Sequence, residues 1–290
     1  MKFLPKISII MNCHNGENFL KESLNSILSQ SYKNWELIFF DNKSMDNSQN
    51  ILKKIKDKRF RYFKSQKKLT LYKARNSAIK HTKGSYITFL DVDDQWHKDK
   101  LTKQVEMVNK KNSNFIFTNY YILKKKNKKK CFRKKPPSGF VTRHILKSNF
   151  IPIVTVMFKK KLLKKFKLSF NNKYNIIGDF DLFIKLSKYV KFDYIHQPLA
   201  NYRLHEKNYS KKNSNSYYKE LMFWYKKNRN TFKIYNFYNF LLNAEYIKIK
   251  SDIYMKNYIA ALVSFFKFPL CLKKIKLFVL FFTLKKLYDF

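Results

Sequence analysis

A chain of 290 residues, 45% of them hydrophobic, carries enough apolar material for one large α/β domain, with or without an appendage. Its 62 basic residues against 19 acidic ones leave a formal charge of +43, and only seven of the basic residues are arginine. So lysine-rich a surface is drawn to phosphates and anionic headgroups, but no zinc-finger spacing, RNP signature or recognition-helix motif is present, and specific nucleic-acid binding is unsupported.

In chain order, "ISIIMN" (Ile7 to Asn12) reads as a buried strand, and Leu20, Leu24, Ile27 and Leu28 follow at helical spacing. "WELIFFD" (Trp35 to Asp41) is a second strand, then turn chemistry and a helix bearing Ile51, Leu52 and Ile55. "RFRYFKS" is a third strand, and Ala74 to Lys83 a helix closed by Gly84. "SYITFLDVDDQW" is a fourth strand running into Asp91, Asp93 and Asp94. Leu101, Val105 and Val108 mark another helix, and Asn114 to Leu123 another strand. This alternation predicts a mainly parallel sheet with helices on both faces, its ligands beyond the carboxyl ends of the strands. Residues 124 to 135, "KKKNKKKCFRKK", read as a solvated loop or hairpin tip, with an anion site as the alternative. An apolar "FIPIVTVMF", a helix-like "IIGDFDLFIKLSKYV" and "FDYIHQPLANYRLH" follow, and from about Ser210 the pattern is helical and aromatic-basic.

Cys13, Cys131 and Cys271 are far apart and odd in number, which implies a reducing compartment and no disulfide framework. The N-terminus lacks the apolar core and cleavage site of a signal peptide. The longest late uncharged runs, Tyr258 to Phe266 and Leu277 to Leu284, fall short of the roughly 20 residues of a membrane span. A cytoplasmic protein is the expectation.

Four clusters carry chemistry. Asp91, Asp93 and Asp94 crowd three negative charges into four positions, which a hard divalent cation with a diphosphate would relieve; helix capping by Asp94 or Asp99 accounts for one acid, not three. Asp41 to Ser44 can face a base or ribose, or can simply be turn and cap chemistry. Asp179 and Asp181, among apolar residues, suit either a helix cap or a partly desolvated general base. Arg203 and His205 share one side of an extended segment, as a diphosphate clamp and a metal or phosphate ligand, or as plain surface.

Together, "ISIIMNCHN", "SILSQSYKNWELIFFDNKSMDNS", "ARNSAI", "GSYITFLDVDDQW", "GDFDLF" and "YRLHEKNYS" resemble, in order and spacing, the family-2 glycosyltransferases, over roughly Ile7 to Ser210. The resemblance implies a GT-A fold: a nucleotide-sugar-binding half (1–123) and an acceptor half (124–210), with 211–290 as a helical extension. It places Asn12, His14 and Asn15 at the base, His14 stacking where a tyrosine is usual. Asp41 and Asn42 stand where the family has Asp-Asp, and Arg75 and Asn76 lie on the nucleotide side. Asp93 matches the metal ligand (Mn or Mg) and Asp91 lies near ribose and diphosphate. Asp179 matches the catalytic base, preceded by Gly178 where a glutamate is usual. The implied activity is inverting transfer from a nucleoside-diphosphate sugar to a glycan or lipid-linked acceptor in cell-surface polysaccharide or lipopolysaccharide assembly. The lysines and aromatics of "FFKFPLCLKKIKLFVLFFTLKKLYDF" suit an interfacial helix on an anionic membrane, or a packing helix with snorkelling lysines. One rival is a sugar nucleotidyltransferase, which would need a glycine-rich phosphate loop that four glycines do not supply. Another is a basic binding protein without catalysis.

Overall fold

The computed structural model describes residues 3–125, 127–205, 208–209 and 213–286, with side chains to residue 281. Lys126, Glu206, Lys207, residues 210–212 and the terminal 287–290 of the segments discussed above lie outside the described residues. The chain packs as two compact units, Met1–Ile145 with Asn149–His205, and Leu146–Ser148 with Glu206–Phe290.

The first unit alternates strand and helix in its first half: β1 (Ile7–Cys13), α1 (Glu17–Leu28), β2 (Trp35–Asp41), α2 (Ser48–Lys53), β3 (Phe60–Lys64), α3 (Leu71–Lys80) and β4 (Tyr86–Phe89). There follow β5 (Gln95–Trp96), α4 (Lys100–Lys111), β6 (Phe115–Lys124), β7 (Asn127–Lys130), α5 (Thr142–Lys147), β8 (Met157–Lys159), α6 (Lys161–Lys165), α7 (Gly178–Leu186) and β9 (Phe192–Leu204). The strands form one mixed sheet in the order β3-β2-β1-β4-β8-β6-β9-β5, with β7 on β6. β3, β2, β1 and β4 run parallel, as do β6 and β9. The unexpected β8 lies antiparallel between β4 and β6. Two such reversals restore direction, so β4 and β6 point the same way and all the parallel strands end at one edge.

β1 and β2 are buried almost throughout, as continuous apolar runs in a central sheet require. α1 adds the stripe Leu20, Leu24 and Ile27 to that core. One acid, Glu36, is buried in β2 and takes hydrogen bonds from the Ser8 hydroxyl (2.7 Å), the Lys83 N–H (2.5 Å) and Arg61 (2.9 Å). Burial alone would raise its pKa; these bonds more than offset that and hold the carboxyl below its ordinary range.

Gly84 is not the helix stop that its position suggested. α3 ends at Lys80 with His81 as C-cap, and Gly84 instead lies against β1, where its N–H donates to the Ser8 hydroxyl at 2.8 Å. A Cβ there would sit 2.6 Å from both the Lys6 carbonyl oxygen and the Ser8 nitrogen. Gly84→Ala is therefore expected to cost about 2 kcal/mol by overpacking, measured as a lowered urea midpoint with unchanged slope. The basic run forms an antiparallel hairpin, Tyr121 pairing Lys130 and Lys124 pairing Asn127. β6 also pairs β9 in parallel, Leu123 with Arg203 and Lys124 with Leu204, which sets the hairpin at the edge where the parallel strands end.

The second unit is helical in its described residues: α8 (Ser214–Asn228), α9 (Tyr238–Tyr254), α10 (Tyr258–Lys267) and α11 (Leu272–Lys286). No helix among the described residues is long and apolar enough to cross a membrane.

Candidate active site

The register brings the carboxyl ends of β1 and β2 together, Cys13 opposite Asp41, and Leu90 continues β4 beside Ile10. Across this edge His14 Nδ1 meets the Asn42 carbonyl oxygen at 3.1 Å, the Asn15 N–H donates to the Ser44 hydroxyl and the Met45 N–H to Asn15 Oδ1. Asp41 is buried and engaged at both oxygens, by the Ser44 N–H (2.7 Å) and the Tyr62 hydroxyl (2.8 Å). The Asn42 amide donates to the Leu69 carbonyl and accepts from the Leu69 N–H, tying down the segment before α3. Asn12 differs: both atoms of its amide are buried and neither meets a hydrogen-bond partner among the described residues. Such a group costs about 1–3 kcal/mol unless a ligand answers it.

The crowded carboxylates each find a basic residue from a distant segment. Asp91 takes two hydrogen bonds, 2.7 and 3.0 Å, from the buried guanidinium of Arg75 on α3. Asp93 Oδ2 lies 2.9 Å from His205 Nε2, just past β9. Asp94 is buried and accepts the Arg203 N–H at 2.8 Å, so its carboxylate fastens β9 and does not cap α4. The Arg203 side chain reaches the Asp93 carbonyl (2.8 Å) and Glu22 (2.5 Å) and lies over the Phe19 ring. Compensation is incomplete. Burial, then the charge of Asp91, push Asp93 above the ordinary carboxylate range despite His205; burial, then Asp93 and Asp91, push Asp94 well above it.

Asp93 and His205 offer a hard oxygen and an imidazole nitrogen side by side, with side-chain exposures of 25% and 21%. No group of three potential ligands gathers among the described residues. A divalent cation here would have two protein donors and take the rest of its shell from diphosphate oxygens and water, the habit of magnesium and manganese sites. Asp91, committed to Arg75, is one step removed from this pair. The pair and the excess of negative charge fit such a group.

Asp179 stands in the first turn of α7. Its Oδ1 accepts the Phe180 N–H (2.8 Å) and the Tyr72 hydroxyl (3.2 Å), and Oδ2 has no hydrogen-bond partner among the described residues. Burial raises its pKa, and the nearby Arg75 cation opposes that without cancelling it. Arg75 is thus electrostatically coupled to Asp91 and Asp179 alike. Asp181, the other candidate, is fully buried and paired with Lys185 at 2.8 Å. Asn76 grips the backbone of Phe170 from both sides and the Asn172 side chain, which steadies the segment leading to Asp179.

The family model for glycosyl transferase family 2 matches residues 8–186. The chain belongs to that family. It is 34% identical over 167 residues to the Escherichia coli UDP-Glc:alpha-D-GlcNAc-diphosphoundecaprenol beta-1,3-glucosyltransferase WfgD, covering 58% of this chain and 65% of that one. To the putative teichuronic acid biosynthesis glycosyltransferase TuaG of Bacillus subtilis it is 30% identical over 159 residues, 54% and 63% of the two chains. The chain thus spans just under two thirds of the length of these relatives. Among solved structures, TarS 1–349 of S. aureus in complex with UDP-GlcNAc superposes with TM-score 0.64 at 16% identity, over 83% of this chain and 70% of that one. The Pyrobaculum calidifontis mannosyltransferase PcManGT in complex with GDP-Man and Mn2+ gives 0.58 at 16% identity, over 99% and 81%. These likenesses are of fold, and the fold is GT-A.

This family-2 chain holds its candidate base in a way that the local motif did not reveal. Gly178 leaves no room for a side chain: a Cβ there would lie 2.5 Å from the Tyr72 ring. Tyr72 is buried, stacks on Phe170 and donates to the Ile176 carbonyl at 2.8 Å. Tyr62, Glu22 and Phe19 were also missed. A tyrosine three residues before Arg75 on one helix face was the one local sign of Tyr72.

Proposed function

We propose that this chain is an inverting glycosyltransferase that moves a sugar from a nucleoside-diphosphate sugar to a hydroxyl of a lipid-linked glycan acceptor. The observation that carries the reading is the meeting of Asp91 and Asp179 around Arg75, with Asp93 two positions on and paired with His205, in a family-2 chain, at the edge where the parallel strands end. Asn12, His14, Asn15, Asp41 and Asn42 lie on the nucleoside side, where Asp41 and Asn42 act mainly by shaping the loops. Asp93 and His205 would hold a divalent cation, which supplies charge neutralisation on the leaving diphosphate. Asp179 Oδ2 takes the proton from the acceptor hydroxyl as that oxygen bonds to the anomeric carbon. The bond from that carbon to the diphosphate oxygen breaks, and its electron pair leaves with the diphosphate. Arg75 holds Asp91 in place, and Arg203 ties the Asp93 turn to β9 and Glu22.

WfgD, by its name, acts on a diphosphoundecaprenol-linked sugar. An acceptor of that kind, the net charge of +43 and the basic hairpin beside the site support work at the cytoplasmic face of a membrane with anionic lipids, in cell-surface polysaccharide assembly. The test is thermal stability with manganese and a panel of nucleoside diphosphates, on the wild type and Asp93→Ala. At a hundred times its dissociation constant a ligand should stabilise by about 2.7 kcal/mol. A metal-dependent shift with one diphosphate, lost in the variant, is expected. No shift with any of them would sink the reading and leave a basic binding protein.

A further inference from the structure

The C-terminal unit contains helices that are apolar on two sides. On the inner side, Ala261, Phe268 and Leu277 are buried with Ile249 and Ile253 of α9. On the outer side of α10, Ile259, Leu262, Val263 and Phe266 are 81, 42, 52 and 75% exposed. Their spacing of i, i+3, i+4 and i+7 makes one continuous stripe. Leu270 in the link that follows and Leu272 at the start of α11 are also exposed, at 90% and 77%. A single exposed leucine needs no explanation, but a contiguous apolar stripe on two turns of helix does.

Charge decides what covers it. Between Asp252 and Asp289 the sequence has seven lysines and no acid. A second copy would set lysine against lysine on a chain whose formal charge is already +43. An anionic bilayer answers both features, since acyl chains accept the stripe while headgroups meet the lysines. We propose that α10 lies in the interface of an anionic membrane with its Ile259-to-Phe266 stripe at the acyl boundary. This inference deepens the proposed function, resting on its lipid-linked acceptor for purpose, and gives the chain a membrane contact of its own.

The experiment places Phe266→Trp in the full chain and adds vesicles of phosphatidylglycerol and phosphatidylcholine, or of phosphatidylcholine alone. Trp35, Trp96 and Trp224 are buried, so the new indole supplies the signal from the surface. A blue shift with the anionic vesicles, and little with the neutral ones, is expected. The exposed pair Val263→Glu with Phe266→Glu should lower vesicle partitioning at least about tenfold while leaving the melting temperature unchanged. Binding without a blue shift, or equal partitioning of the double variant, would overturn the proposal. So would self-association of the wild type that Phe266→Glu abolishes, because a second copy would then own the stripe. Stabilisation by nucleoside diphosphate, read on the same proteins, should be untouched by these changes. Its failure in the wild type would count against the donor site and leave the membrane result standing.

Discussion

Asp179→Asn should reduce sugar transfer by about a hundred- to ten-thousandfold while nucleotide-dependent stabilisation persists, as expected for loss of a general base. Asparagine keeps an oxygen for the Phe180 N–H and the Tyr72 hydroxyl, so the first turn of α7 stays in place. What it cannot do is take a proton at the position of Oδ2. The pH profile gives a second reading of the same group. Burial holds the Asp179 pKa above its ordinary value, so the acid limb of the wild-type rate should lie above about pH 3.9, the usual aspartate value. The sign follows from the role: the protonated form is inactive, so the rate rises with pH through that pKa. Tyr72→Phe removes a hydrogen bond that favours the carboxylate and should move the limb to higher pH. An unchanged limb in Tyr72→Phe, or full activity in Asp179→Asn, would remove Asp179 from the mechanism.

Gly178→Ala should be nearly as severe, and through packing. The added methyl would meet ring carbons of Tyr72 at 2.5 to 2.6 Å. That ring cannot withdraw easily, because Phe170 stacks on one side (5.4 Å between centroids) and its hydroxyl is bonded to Ile176 and Asp179. Overpacking of a closed site costs about 3 kcal/mol at the upper end of the usual range, and any relief shifts the base. Transfer should fall together with stability. Combining Gly178→Ala with Tyr72→Ala should cost less than the sum of the two single changes, with a coupling of about 1 kcal/mol or more by urea denaturation. Strict additivity would mean that the two residues do not share the space the geometry gives them.

Local pattern was enough for much of this protein. The β-branched and aromatic runs at Ile7, Trp35 and Tyr86 announced β1, β2 and β4, and short carboxylate and amide clusters after them pointed to the edge that carries the candidate site. The ordered motifs were enough to name the family, which the match over residues 8–186 establishes. Those features are legible because strand and helix periods, and the chemistry of neighbouring residues, act over a few positions. Gly84 was misread for the same reason: a glycine after a helix suggests a cap, and only the sheet shows that β1 leaves no room for a side chain.

What answers the charges of Asp91, Asp93 and Asp94 was not legible. The sequence argued for a cation, whereas the fold supplies Arg75, His205 and Arg203 as well, from 16 to 112 positions away. Nor could any local rule pair Tyr72 with Gly178 and Asp179 across the 107 positions that separate the hydroxyl from the carboxylate it touches. Composition and periodicity determined which elements form and which residues can do chemistry. Only the tertiary structure decided their partners, because burial and contact between distant side chains depend on strand order and register, which no short window contains.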